Sequence, residues 1–128
     1  MSNLRHTAAE RKHFAFLHKL SCVVTGLRFP IEAAHIRYPD AAFHKEITGN
    51  SRKPHPMWCL PLSAEEHRIQ HSMGERRYWQ ERGFDPEDAA LSPLALCLDL
   101  WRFSETDDVD LAEVAISQHR WNVAMEQA

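Results

Sequence analysis

A chain of 128 residues, 44% hydrophobic and 26% charged, has the size and balance of one soluble domain with a modest core. Its apolar stretches are too broken to span a membrane, and the opening MSNLRHTAAERKHF lacks the apolar segment and small-residue cleavage site of a secretory signal, so a cytoplasmic location is expected. The formal net charge of −3 argues on average against a nucleic-acid partner, but residues 1–82 hold 13 Lys and Arg against 8 Asp and Glu, while residues 83–128 hold 2 against 10.

Thr7-Ala8-Ala9-Glu10 has the form of a capping box and precedes Phe14, Leu17 and Leu20 at near-helical spacing, which predicts a first helix from about Ala8 to about Lys19. Cys22-Val23-Val24 and Ile31 to Ile36 are short apolar runs separated by Thr25-Gly26 and Phe29-Pro30, the pattern of strands or a compact hairpin. Turn formers including Pro39, Asp40, Gly49, Asn50, Ser51, Pro54 and Pro56 predict a long irregular loop over 38–56, and Met57 to Leu60 reads as a short strand. Ser63-Ala64-Glu65-Glu66 is a second capping box, opening a helix through His71 that Gly74 ends or interrupts. A further helix covers Glu75 to Arg82. Asp85-Pro86 starts another from about Pro86 to Trp101, with Ser92-Pro93 as its weak point. Asp107-Asp108 caps a last helix from about Val109 to Met125, with Leu111, Val114, Ala115, Gln118, Trp121 and Met125 on one side. The expected fold class is α+β, mostly helical, in a single domain over 1–128. Cys22, Cys59 and Cys97 have no CxxC spacing and read as free buried thiols.

His67 and His71 stand four positions apart, so on a helix they share a face with Cβ atoms about 5 to 6 Å apart. That is near enough for one divalent ion, and imidazole suits several of them. Two polar residues on a wet helix face fit the same spacing. The order of elements narrows the choice, because a strand ending in Ala34-His35-Ile36, a second strand and the helix form a β-β-α sequence with histidines on the first strand and the helix.

The stretch CVVTGLRFPIEAAHIR, followed by KPHPMWCLPLSAEEHRIQHSMGERRYW, resembles the HNH endonucleases (His-Me finger, ββα-metal fold), most closely phage and prophage HNH proteins related to recombination nucleases. The resemblance runs from Phe14 to Asp85 and rests on AAHIR, the KP…W…PL run, EHRIQH and GERRYW. It implies a small ββα-metal core over 14–85; the capping and charge patterns place an N-terminal helix before it and an acidic C-terminal helical extension over 86–128 after it, which the resemblance does not reach. It further implies hydrolysis of DNA phosphodiester bonds, with duplex or branched DNA as the partner. His35 matches the general base that activates water. His67 and His71 match the helical ligands of a divalent metal ion, Mg2+ or Mn2+, with Zn2+ or Ni2+ as alternatives. Arg37 looks like a phosphate-holding arginine, its alternative being a surface strand residue.

The chain departs from the family pattern in three places. Ala34 stands where many relatives carry a metal ligand, leaving His55, Asp40 and Glu32 as candidates for a third; His55 is favoured, because related sequences tend to carry an acidic residue near that place. Cys22, Thr25, Ser63 and Glu66 occupy the positions of a structural zinc cage, so no structural zinc is expected. The asparagine of the HNH name is missing, with Trp58 or its neighbours in that part of the second strand. These departures motivate an alternative, a degenerate HNH module acting as a DNA-binding or recombination accessory protein; a small helical structural protein is a third reading. Trp101, Trp121 and Phe103 are large enough to anchor a homodimer through the C-terminal helices, or to fill the core.

Overall fold

Thr7 and Glu10 cap each other: the Thr7 hydroxyl accepts the Glu10 N–H at 3.1 Å, and the Glu10 carboxylate accepts the Thr7 N–H at 2.8 Å. This starts α1, Ala8–Leu17, in the computed structural model, which describes residues 6–46 and 54–127, with side chains as far as 120. A two-stranded antiparallel sheet follows, β1 (Ile31–His35) against β2 (Cys59–Ser63), with Ile31 opposite Ser63 and His35 opposite Cys59. Then come α2 (Ala64–His71), α3 (Glu75–Glu81), α4 (Pro93–Glu105) and α5 (Val109–Gln127). The described chain is α+β and mostly helical.

Four segments differ from the sequence reading. Cys22 to Val24 forms a tight turn instead of a strand: the Cys22 N–H donates to the Leu27 carbonyl at 2.7 Å and the Gly26 N–H to the Cys22 carbonyl at 2.9 Å. Gly26 sits at φ +79°, where a side chain would be strained. The Val23 N–H donates to the Pro61 carbonyl at 3.0 Å, docking this turn on β2. The second strand begins later than Met57, because Pro56 favours a helical φ and Pro56–Trp58 closes a 3₁₀ turn; the strand then runs on to Ser63. Within the expected loop, Asp40 caps a 3₁₀ turn at Ala41–Phe43 and pairs with Lys45 in a bridge, while Gly49, Asn50 and Ser51 lie outside the described residues.

The helix expected from Pro86 begins at Pro93. Asp85 and Asp88 accept the N–H groups of Glu87 and Ala90, each at 2.9 Å, and these side-chain turns compete with helix formation. Ser92 then caps α4 by accepting the Leu94 N–H at 3.1 Å, with Pro93 in the first turn. The last helix is capped by Asp108, but its inward side is Ala112, Ile116 and His119; Leu111 and Val114 face outward. This rotation also brings the Glu113 carboxylate to Ser21, where it accepts the backbone N–H at 2.7 Å and the hydroxyl at 2.9 Å.

One buried cluster joins all layers, running from Phe16, Leu17 and Leu20 through Leu60 and Leu62 to Trp79, Leu100 and Ile116. Each fully buried side chain of this size contributes about 1.5 to 3 kcal/mol. The acidic helices share the core of the ββα region. Trp58 belongs to it, Phe103 packs on it, and Trp101 lies edge-on to the rings of His13 and His55. The Trp121 side chain is outside the described ones. No described helix is long and apolar enough to cross a membrane.

Candidate functional site

Strand β1 and helix α2 bring the predicted residues together. The Ala64 N–H, at the start of α2, donates to the Pro30 carbonyl at 3.3 Å, and Ile31 pairs with Ser63, so the strand and the first turn of the helix leave from one corner. Glu32 and Ala34 share a face of β1 by the two-residue period of a strand. Ala34 is fully buried, whereas the Glu32 side chain is half exposed and reaches α2.

The Nδ1–H of His67 donates to Glu32 Oε1 at 2.7 Å. An ionised carboxylate only accepts, so this contact places the proton on Nδ1 and leaves the Nε2 lone pair available. That Nε2 faces Nε2 of His71 at 3.2 Å, with ring centroids 4.8 Å apart. Two imidazole nitrogens, each about 2.0 to 2.1 Å from a shared ion, would stand about 3 Å apart, so the pair fits a divalent metal. A carboxylate behind a ligating histidine is also the usual way its ring is oriented. His71 has its pKa lowered by burial first, then by His67 and Arg37, which favours the neutral form that binds metal.

His35, Arg37 and His71 line one hollow of about 150 Å³ with Gln70, Met73 and Glu75. His35 ends β1, edge-on to Phe14 with ring centroids 6.2 Å apart. Gln70, buried on α2, donates from Nε2 to the His35 carbonyl at 3.1 Å and to Glu75 Oε2 at 3.0 Å. The other oxygen of Glu75 accepts the Arg37 N–H at 2.8 Å. Burial raises the Glu75 pKa against these hydrogen bonds. Gln70 and Glu75 thus fix the backbone on both sides of Ile36, a role the sequence reading missed. The available signal was a polar residue inside EHRIQH, on the helix face next to the histidines.

The candidates for a third ligand go elsewhere. His55 accepts the Met57 N–H on Nδ1 at 3.0 Å and faces Glu10 Oε2 with Nε2 at 3.0 Å, in a separate hollow with His44, Lys45 and Trp58. The structure therefore does not bring His55 into the hollow of His35 and His71; both its nitrogens are engaged near the start of α1. Asp40 serves its 3₁₀ cap, in an open hollow of about 940 Å³ along Pro39 to Glu46 that includes none of His35, His67 and His71. Glu32 stands behind His67. Among the described residues no three His, Cys, Asp or Glu side chains converge as a metal-holding group.

The four zinc-cage positions of the resemblance meet around a different network. The Thr25 N–H donates to Cys22 Sγ at 3.4 Å. Burial raises the Cys22 thiol, but hydrogen bonds from Thr25, Ser63 and Val24 bring it below its ordinary value. The Ser63 hydroxyl accepts the Glu66 N–H at 3.2 Å, yet Glu66 does not complete the expected box. Its carboxylate accepts the Tyr78 hydroxyl at 2.8 Å and Arg82 Nε at 2.9 Å, tying α2 to α3.

Comparison with protein-family models, with curated proteins and with solved structures finds no match to this chain.

Proposed function

We propose that the chain is a metal-dependent endonuclease of the HNH type that hydrolyses phosphodiester bonds in DNA in the cytoplasm. The observation that carries the reading is the pair of Nε2 atoms of His67 and His71, 3.2 Å apart, with Glu32 holding the His67 tautomer and His35 and Arg37 beside them. His67 and His71 would hold Mg2+ or Mn2+, which when bound supplies positive charge against the scissile phosphate. Water and phosphate oxygens would fill the remaining coordination positions. His35 takes a proton from the attacking water, which a neutral imidazole does well near pH 7. Arg37 holds a phosphate oxygen through its guanidinium. Gln70 and Glu75 keep the backbone of His35 and Arg37 in place. Supercoiled plasmid incubated with Mg2+ or Mn2+ is expected to be nicked or cut by wild type and spared by His35→Ala, which retains the fold. Intact plasmid and intact branched DNA with every divalent ion tried would reject it.

A second reading, a degenerate module that binds DNA as a recombination accessory factor without cutting, is favoured by one observation. Ala34, at a ligand position of the family, is fully buried and leaves two protein ligands. It predicts DNA binding indifferent to His35→Ala and to chelator.

A further inference from the structure

The loop ahead of β1 presents apolar side chains to solvent. Leu27 is 55% exposed and Phe29 is 85% exposed, while the core accommodates most aromatic rings of the described chain. The exposure does not come from a loose loop. The Cys22 N–H to Leu27 carbonyl bond, the Leu27 N–H to Thr25 hydroxyl bond at 3.2 Å and the Ala64 N–H to Pro30 carbonyl bond hold it at both ends. A ring held out in this way is preorganised for contact.

Its position is next to the histidine pair. Glu32, which touches His67, lies three residues beyond Phe29, so the two Cα atoms are at most about 11 Å apart. That is about three base steps of one DNA strand. The charges around it are selective. Arg76, Arg77, Arg82 and Arg102 each pair with a carboxylate, whereas among the described residues Arg11, Arg28, Arg37, Arg68 and Arg120 have none; Arg11 is bonded to the His6 carbonyl and Arg120 lies against Gly26, which leaves Arg28, Arg37 and Arg68. These three flank the site: Arg28 adjoins Phe29, Arg68 follows His67 on α2, and Arg37 lines the hollow with His35 and His71. Exposed guanidiniums without carboxylate partners suit phosphates, and an exposed ring next to one of them in the chain suits an unstacked base.

We propose that Phe29 is a base-stacking residue and that Arg28 and Arg68 hold the flanking phosphates, so that the face prefers DNA with an unpaired segment to a continuous duplex. This rests on the nuclease reading for the kind of partner and adds the form of the substrate. A paired duplex has no free base face at its side, whereas a gap or branch point offers one.

The test uses the full chain in chelator, with fluorescein-labelled duplex and the same duplex carrying a short single-stranded gap, followed by anisotropy. Wild type is expected to favour the gapped DNA by about 5- to 150-fold, the range of one stacked base. Phe29→Ala loses this preference, Phe29→Trp keeps it, and Arg28→Gln weakens both DNAs alike and lowers the salt slope by about 1. If wild type binds and Phe29→Ala binds both DNAs as wild type does, the stacking role is overturned while the nuclease reading stands. Binding with an intact preference but no cleavage in Mg2+ or Mn2+ overturns the nuclease activity and leaves the stacking role. No binding by wild type overturns the stacking role, and plasmid cleavage with divalent ions then decides the nuclease reading by itself. If sedimentation shows a wild-type dimer that Phe29→Ala dissociates, with DNA preference unchanged, the loop is a contact between copies and the proposal fails.

Discussion

Glu32 Oε1 lies 2.7 Å from Nδ1 of His67, and this one contact decides which nitrogen of His67 points at His71. Glu32→Ala is therefore expected to weaken Mn2+ or Ni2+ binding about 10- to 100-fold, the usual cost of losing a partner behind a ligand. His71→Ala should abolish the site. Calorimetric titration reads both, and wild-type affinity in Glu32→Ala would contradict the orienting role.

The buried His13 makes stability fall in mild acid. Its nitrogens have no hydrogen-bond partner among the described residues, and burial, then the neighbouring His55, lowers its pKa from 6.5 to about 4. Between those values the unfolded chain binds more protons, so this contribution is complete above about pH 6.5 and is lost as pH falls towards 4. The total is on the order of 3 kcal/mol, of which about 2 kcal/mol should be gone at pH 5. His119, whose pKa burial also lowers, acts in the same direction, while Glu75, whose pKa burial raises, opposes it. Urea midpoints at neutral and mildly acid pH should show a smaller loss for His13→Leu than for wild type. Equal losses would remove His13 from the account.

Glu66 is expected to matter more than the serine that caps its helix. Glu66→Ala leaves the Tyr78 hydroxyl without its acceptor and Arg82 with only the longer contact to Glu81 at 3.9 Å, at a cost of about 1 to 3 kcal/mol. Ser63→Ala loses the cap alone, at about 1 kcal/mol. Urea denaturation separates them, and in the Glu66→Ala background Tyr78→Phe should add less than it does alone. Additive losses would mean the two side chains do not act together.

Gly26→Ala should cost about 1 to 2 kcal/mol, since φ is +79° and the new methyl would fall 2.5 Å from an Arg120 nitrogen. Thermal unfolding measures it. A smaller loss in Gly26→Ala combined with Arg120→Ala would isolate the part due to the close approach.

What the sequence made legible was whatever depends on neighbours in the chain. The Thr7 and Ser63 caps, the helix bearing His67 and His71 and the fold class follow from local hydrogen bonding and periodicity. The turn at Cys22 to Leu27 was misread because two valines look like a strand until Pro61 and Glu113, distant in sequence, are seen to hold that segment. The rotation of α5 was misread for the same reason: Leu111 and Val114 are more apolar than Ala112, but the side that meets the rest of the chain carries Ala112, Ile116 and His119 inward, with Glu113 bonded to Ser21. His55 was placed by analogy with an acidic residue in relatives, and no local pattern could reveal that Glu10 would engage it. Gln70 and Glu75 were missed because they act on backbone groups, whose identity the letters do not encode; the polar place of Gln70 inside EHRIQH was the one signal, and it did not say which carbonyl would be held.

The bond from Ser21 to Glu113 spans 92 positions, and Arg120 reaches Gly26 from still farther along the chain. The turn that leads into β1 is thus braced from two directions, by Pro61 of β2 and by α5. A chain cut before Glu113 keeps the partners of the bonds from Cys22, Val23 and Gly26 but loses the carboxylate that holds Ser21, so α5 acts as a clasp on the approach to the histidine strand.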